Sequence, residues 1–282
     1  MTYETSIVIG DLHIPYHEKD IIKSVIKFIR DFKPNRVIVN GDLIDFYDAS
    51  RFAKVPTRFL SDIEIQELKI EAEAENRGYG YVVRSAFQRE INEAYACLKQ
   101  IREAVPRAEI IYIYGNHEYR LSSFVVNNSS LFYDTHLPDD PRKQPIISVE
   151  YLLRLDKLKI RHKFSGFVES WIKMGALYIG HFDIIRKHSG WTAKALVEDK
   201  QVCLIQNHTH RLGSFYKTPF SKPLVGFENG CLCSLNPRYM QNPNWQHGFS
   251  IVYHKKGKDR FHVHQIPIID NIFIYEGKEY KA

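Results

Sequence analysis

Seven candidate metal ligands fall in five short pieces of this 282-residue chain. In Gly10-Asp11-Leu12-His13, Asp11 and His13 are two apart, so in extended backbone both can point the same way. A carboxylate beside an imidazole suits a divalent transition metal. In Gly41-Asp42-Leu43-Ile44-Asp45, the two oxygens of Asp42 could bridge two cations, and Asp45 could accept a hydrogen bond from an imidazole. Gly115-Asn116-His117-Glu118 offers an amide oxygen as a ligand. Its His117 can be left free for proton transfer or for a phosphoryl oxygen, while Glu118 can fix the local backbone or pair with a cation. His181 follows Gly180, and His208-Thr209-His210 repeats the two-apart spacing. Two imidazoles on one side are costly to bring together unless a cation holds them neutral. Singly, Asp-x-His reads as a surface pair, Gly-Asp as a turn and His181 as a structural histidine. Together, in one order, they supply Asp11, His13, Asp42, Asn116, His181, His208 and His210, enough for two metal ions sharing one carboxylate.

Each piece sits at or just past an apolar run. Residues 6–9, 36–40 and 109–114 read as short buried strands, each ending at a Gly-led motif. Residues 19–32 place Ile21, Ile22, Val25, Ile26, Ile29 and Phe32 at helical spacing, with Asp20 a candidate cap and Pro34 beyond the end. This is a β-α-β unit with a polar motif at the carboxyl end of each strand, the edge where open α/β sheets bind ligands. Residues 63–76 read as a charged helix, Arg77 to Gly80 as its break, and 84–105 as a long amphipathic helix with Phe87, Ile91, Ala94, Tyr95, Leu98 and Ile101 as its stripe. Residues 121–170 look mixed, with a loop at Pro138, Pro141 and Pro145 and a short helix at 149–155. Strands are expected at 177–179 and 202–205, with a helix at 191–199. Beyond them, 224–227, 250–254 and 261–266 read as β, and 255–258 as a hairpin turn. The expectation is a single domain over 1–282, with a helical insertion near 46–105 and a β-rich tail near 250–282.

The bulk numbers are ordinary: 44% hydrophobic, 26% charged and a net charge of +6. The balance permits an anionic substrate without requiring one, because the basic residues are scattered. Four cysteines make no C-x-x-C spacing, so they read as reduced thiols and point to a cytoplasmic protein. Cys231 and Cys233 alternate on an expected strand and read as packing. The first nine residues have neither a basic leader region nor a long apolar run, so a signal peptide is not expected. No stretch approaches the roughly 18 apolar residues of a membrane span.

The ordered set D-x-H, G-D-x-x-D, G-N-H-E, G-H and H-x-H, running from Gly10 to His210, resembles the calcineurin-like metallophosphoesterase superfamily. The resemblance implies an α/β, four-layer fold: a β-sandwich of two mixed sheets flanked by helices, with two metals at the carboxyl ends of the strands. It implies that Asp11, His13, Asp42 and His210 hold the first metal. Asp42 would bridge to the second, completed by Asn116, His181 and His208. A hydroxide bridging the metals would attack phosphorus, with His117 as general acid or oxyanion stabiliser and Asp45 orienting it. The ions would be divalent: Mn foremost, with Fe, Zn, Ni, Co and Mg open. Two positions depart from the pattern. Asn207 replaces the usual Gly before His-x-His, which often allows a tight turn, and little harm is expected from it. Phe46 stands where the serine/threonine protein phosphatases of the superfamily place Arg. The segments Asp11 to Pro15, Gly115 to Leu121, His208 to Arg211, Glu228 to Cys233, Pro237 to Tyr239 and Asn244 to Phe249 are similar to small metallophosphoesterases of bacteriophages and bacteria, implying a phage-infected or bacterial cell.

Specificity is expected from residues 46–90 and the loop at 186–191. Arg120, Arg211, His188 and Arg51 are candidates to contact substrate. Residues 245–249 read as packing. The expected partner is a phosphate ester, a nucleotide or nucleic acid, with no membrane association and an open oligomeric state. The leading expectation is a phosphodiesterase, nuclease or nucleotide hydrolase. A phosphomonoesterase such as a phosphoprotein phosphatase is the alternative within enzymes, disfavoured by Phe46. A metal-binding but catalytically idle scaffold is the alternative outside them.

Overall fold

The structure is a computed structural model that describes residues 3–50, 62–74, 76, 79–164, 170–219, 222–237 and 242–281. The chain opens with β1 (Glu4–Ile9), α1 (Lys19–Phe32), β2 (Arg36–Asn40), α2 (Asp62–Ala74), α3 (Tyr79–Ala104) and β3 (Glu109–Ile113). There follow α4 (Asn116–Ser129), α5 (Val149–Leu152), β4 (Ile160–Lys163), β5 (Trp171–Met174), β6 (Leu177–Gly180), α6 (Trp191–Lys200) and β7 (Cys203–Gln206). The last elements are β8 (Leu212–Lys217), β9 (Leu224–Asn229), β10 (Gly248–His254), β11 (Phe261–Pro267), β12 (Phe273–Tyr275) and β13 (Lys278–Tyr280).

Two mixed sheets face each other. One runs β11-β10-β1-β2-β3-β4 and the other β5-β6-β7-β9-β8. The strands β1, β2, β3 and β4 are parallel, as are β6, β7 and β9. The continuous apolar runs of β1, β2 and β3 follow from burial on both faces. Val8 and Ile38 point into the space between the sheets, against Leu177, Ile179, Ile205 and Phe227. Their neighbours Ile7, Ile9, Val37 and Val39 point the other way, into a larger core shared with Ile21, Val25 and Ile29 of α1 and Ile91, Leu98 and Ile101 of α3. Helix α6 covers the outer face of the second sheet through Leu196 and Val197 against Leu204. Helices, sheet, sheet and helix make the four layers expected from the sequence.

Several local expectations are corrected. Asp20 does not cap α1; Glu18 occupies the cap position, and Asp20 sits in the first turn, 2.9 Å from Lys23. Helix α3 begins at Tyr79, earlier than the expected 84, and α2 ends at Ala74; Arg77 and Gly78 lie outside the described residues. The mixed reading of 121–170 hides the continuation of α4 from Asn116 to Ser129, whose weak amphipathicity gives no clear apolar stripe. It also hides β4, a four-residue edge strand with only Ile160 buried. Part of the β-rich end joins the first sheet, where β10 pairs with β1 and β11 forms the edge, while β12 and β13 pair as a separate two-stranded sheet. Among the described residues, no helix is long and apolar enough to cross a membrane.

Candidate metal centre

The loops after β1, β2, β3, β6 and β7 converge on one edge of the sandwich. Asp11 and His13 do not reach it through extended backbone. Both adopt left-handed φ, 50° and 48°, as do Asp42, His208 and His210 at 49°, 80° and 58°. Such values are uncommon outside glycine and cluster at functional sites. Here they turn side chains out of the strand direction toward a common point.

Asp42 is at the centre. Its Oδ2 lies 3.2 Å from His181 Nε2 and 3.7 Å from both His13 Nε2 and His117 Nε2. Its Oδ1 accepts the His117 backbone N–H at 2.9 Å. Ligand atoms of Asp11, His13 and Asp42 lie within 4.8 Å of one another, and so do those of Asp42, His181 and His208. On the second side, Asn116 Oδ1 meets His208 Nδ1 at 2.8 Å and His181 Nε2 at 3.1 Å. On the first, His210 Nε2 meets His13 Nε2 at 2.9 Å. Two of the glycines show why no larger residue fits there. A Cβ on Gly41, whose φ is +81°, would collide with the His181 ring, and one on Gly115 with the Asp42 carboxylate.

The outer nitrogens of the imidazoles fix which inner atoms face the centre. His13 Nδ1 donates to Asp45 Oδ2 at 3.1 Å, His181 Nδ1 to the Asn40 carbonyl at 3.0 Å, and His210 Nδ1 faces Cys233 Sγ at 3.8 Å. The outer contacts of His13 and His181 hold the Nε2 atom of each toward the centre. With His13 and His210 Nε2 2.9 Å apart and His181 Nε2 facing carboxylate and amide oxygens, the donors converge closely enough to suit shared cations. The Asp11 Oδ1 atom is buried without a hydrogen-bond partner beside them. Hard oxygen and borderline nitrogen donors in this mixture fit divalent transition metals.

The electrostatics divide the imidazoles. Burial pushes Asp11 up to about 7, against the pull of His181. Burial would raise Asp42 too, but His117 and His181 hold it well below the usual carboxylate range. Burial lowers His181, yet Asp42 outweighs it and lifts the imidazole to about 10. Burial, then His181, brings His208 down to about 3, and burial with His13 holds His210 well below normal. His208 and His210 are thus neutral at ordinary pH, the form that ligates a metal, whereas Asp42 keeps a proton on His181 that a bound cation would displace.

His117 stands at the rim. Its Nδ1 lies 3.0 Å from the Asp45 carbonyl and 3.3 Å from Asp45 Oδ2, so Nε2 faces the cluster. Asp45 also receives Arg120 Nη1 at 3.1 Å, and despite burial the imidazoles of His117 and His13 hold it well below the usual range. Of the candidate substrate residues, Arg120 therefore sits beside the cluster. The Arg211 guanidinium donates to the Asn244 and Arg186 carbonyls, His188 is exposed with its ring 4.4 Å from Trp191, and Arg51 lies outside the described residues. Phe46 is fully buried against Phe87 of α3, and its N–H donates to the Glu90 carboxylate. Burial, then Asp45, pushes Glu90 well above the usual range. The one sequence signal for Glu90 was a carboxylate set within the Phe87-Ile91-Ala94 stripe.

Asn207 makes no turn of the kind a glycine would allow. It is buried, its Nδ2 donates to Asp11 Oδ2 at 3.2 Å, and its Oδ1 accepts from Asn40 at 2.8 Å and Asn229 at 3.2 Å. Cys233, read as packing, reaches His210, and with His13 the three ligand atoms lie within 4.8 Å.

A sandwich of two mixed sheets with an Asp/His/Asn cluster at its strand ends defines a metallophosphoesterase scaffold. The chain belongs to the calcineurin-like phosphoesterase family, whose model matches residues 5–219. No curated protein matches the sequence. Among solved structures, wild-type Vps29 complexed with Zn+2 from Entamoeba histolytica is 13% identical, with 99% of this chain and 98% of that chain covered and a TM-score of 0.44. Vps29 of Chaetomium thermophilum is 11% identical over 99% and 91%, with a TM-score of 0.44. TT1561 of Thermus thermophilus is 10% identical over 93% and 99%, with a TM-score of 0.36.

Proposed function

We propose that this cluster is a two-metal centre that hydrolyses phosphate esters, with phosphodiesters of nucleotides or nucleic acid as preferred substrates. The observation that carries the reading is Asp42 Oδ2, which lies between His181 Nε2 at 3.2 Å and His13 Nε2 at 3.7 Å and so joins two ligand groups. Asp11, His13, Asp42 and His210 would hold one divalent ion, and Asp42, Asn116, His181 and His208 the other. Manganese leads, with Fe, Zn, Ni, Co and Mg open to the same donors. Bound there, the ions supply a water of lowered pKa and polarise the phosphoryl oxygens.

The chain's own residues do the rest. His117 keeps Nδ1 on Asp45 and presents Nε2 to the leaving alkoxide, to which it delivers a proton, or to a phosphoryl oxygen whose charge grows in the transition state. Asp45 orients His117 and His13 together, so one carboxylate sets both the acid and a ligand. Phe46 at the core, in place of an exposed arginine, counts against a phosphoprotein phosphatase. We also read residues 1–282 as one such domain, with the helical stretch within 46–105 inserted beside the Asp45 loop.

Hydrolysis of bis-p-nitrophenyl phosphate and of p-nitrophenyl phosphate, with and without Mn²⁺, tests this. Metal-dependent cleavage of the diester is expected. Cleavage of the monoester alone would replace the diesterase reading with a phosphatase, and two bound ions with no cleavage of either would leave an idle scaffold.

A further inference from the structure

A cavity of about 250 Å³ opens from the His13, His210 and Asp45 corner of the cluster. Besides Cys233 at its floor near His210, its walls are Tyr16, His17, Ser234, Asn236, Pro237 and Trp245. Among the described residues, no lysine or arginine lines it, so these walls offer no charge to offset a second phosphate. They are flat rings with a hydroxyl and an amide between them. Trp245 stands edge-on to His210, the ring centroids 4.2 Å apart, which places an aromatic face one side chain away from the proposed metal.

The walls are held in place by the backbone. Ser234 N–H donates to the Tyr16 carbonyl at 2.8 Å, Glu18 N–H to Leu232 at 3.0 Å and Leu232 N–H to Asp11 at 3.1 Å. On the Trp245 side, Gln246 N–H donates to the His210 carbonyl at 2.9 Å and Cys231 N–H to Gln246 at 3.0 Å. The loops carrying Tyr16, Ser234 and Trp245 are thus laced to the same segments that carry Asp11 and His210. A pocket built in this way exists before its ligand arrives and keeps a fixed distance to the cluster.

We infer that this cavity is a nucleobase subsite: it takes the uncharged ring of a single nucleotide whose phosphate lies on the cluster, with Trp245 as the specificity-determining residue. The inference rests on the phosphoesterase reading for the position of the phosphate. It adds that the substrate is a mononucleotide ester or an unpaired nucleotide, since a base must leave its stack to sit against Trp245 beside the cluster. Bases stack on aromatic side chains without regard to sequence, and Ser234 and Asn236 supply donors and acceptors for a base edge.

Binding decides it without reference to turnover. Adenosine 5′-monophosphate and ribose 5-phosphate differ in the base alone. Calorimetric titration of each into the Mn²⁺-loaded protein should show the nucleotide binding at least about tenfold more tightly. Trp245→Ala should erase that difference by weakening the nucleotide, and Trp245→Phe should restore part of it. Equal affinity of the native protein for the two ligands overturns the subsite, and this comparison stands even if Trp245→Ala fails to fold. A preserved difference in a folded Trp245→Ala protein overturns the role of Trp245. Tight, base-dependent binding with no hydrolysis of any ester would instead remove the proposed activity and leave the subsite in place.

Discussion

The Glu118 carboxylate holds the backbone of Asp42 from beneath: Glu118 Oε2 accepts the Asp42 N–H at 3.0 Å. The same carboxylate accepts from Leu43 N at 2.9 Å, Gly115 N at 2.7 Å and Tyr112 Oη at 2.6 Å. One buried side chain on α4 therefore clamps the loops after β2 and β3 to each other. Glu118→Gln puts an amide NH₂ where two donors now point, leaving buried N–H groups unpaired at about 1–3 kcal/mol each. A loss of at least about 2 kcal/mol in urea denaturation is expected. A change under about 0.5 kcal/mol, the usual spread for surface substitutions, would show that the clamp is unnecessary.

Asn207→Gly restores the residue usual in the family but removes the amide that binds Asp11, Asn40 and Asn229. Loss of an outer partner of a ligand typically weakens metal binding by about 10–100-fold. Manganese titration of the variant should show weakening in that range. Unchanged affinity would mean that Asp11 is oriented by its backbone alone.

His117→Ala should leave the metal content intact, because the bond from residue 117 to Asp42 Oδ1 is made by the backbone N–H. Turnover of the diester should fall by about 10²–10⁴-fold, the usual contribution of a positioned acid. Metal analysis beside kcat checks both halves, and a variant of near-native kcat would remove His117 from the chemistry.

Stability should fall on the acid side through imidazoles outside the cluster. Burial lowers His17 to about 4, with Lys19 adding to it, and burial also lowers His247. The unfolded chain then binds protons more readily than the folded one, so stability is complete above the ordinary histidine value of about 6.5 and is lost as pH falls from there toward 4. His17 alone accounts for about 2 kcal/mol by pH 4, allowing for its partial exposure. Thermal unfolding of His17→Gln between pH 7 and pH 4 should show a shallower decline than the native protein. Parallel declines would place the acid sensitivity elsewhere.

What the sequence showed and what it hid have separate physical causes. The strands carrying Asp11, Asp42 and Asn116 were legible because they are buried on both faces and so read as unbroken apolar runs ending at glycine. Gly41 and Gly115 are needed at those ends because a Cβ would strike His181 and Asp42. Helix α4 was not legible, since only four of its residues, His117, Glu118, Leu121 and Val125, are buried and two of those are polar. Nor were the roles of Asn207, Glu118 and Cys233, which depend on partners far away in sequence or on backbone amides that no motif spells out. Trp245 read as packing because it falls in the aromatic-rich stretch 245–249, and the cavity beside His210 forms only where the loops at 16, 234 and 245 meet.

The central claim is that the Asp/His/Asn cluster works as a pair of metal sites sharing Asp42. Titrating metal-free protein with Mn²⁺ while following bis-p-nitrophenyl phosphate hydrolysis, beside Asp42→Ala, tests it most directly. Activity is expected to rise until two ions are bound per chain and to be absent from Asp42→Ala at every manganese concentration. Full hydrolysis without metal, or an Asp42→Ala variant as active as the native chain, would contradict it.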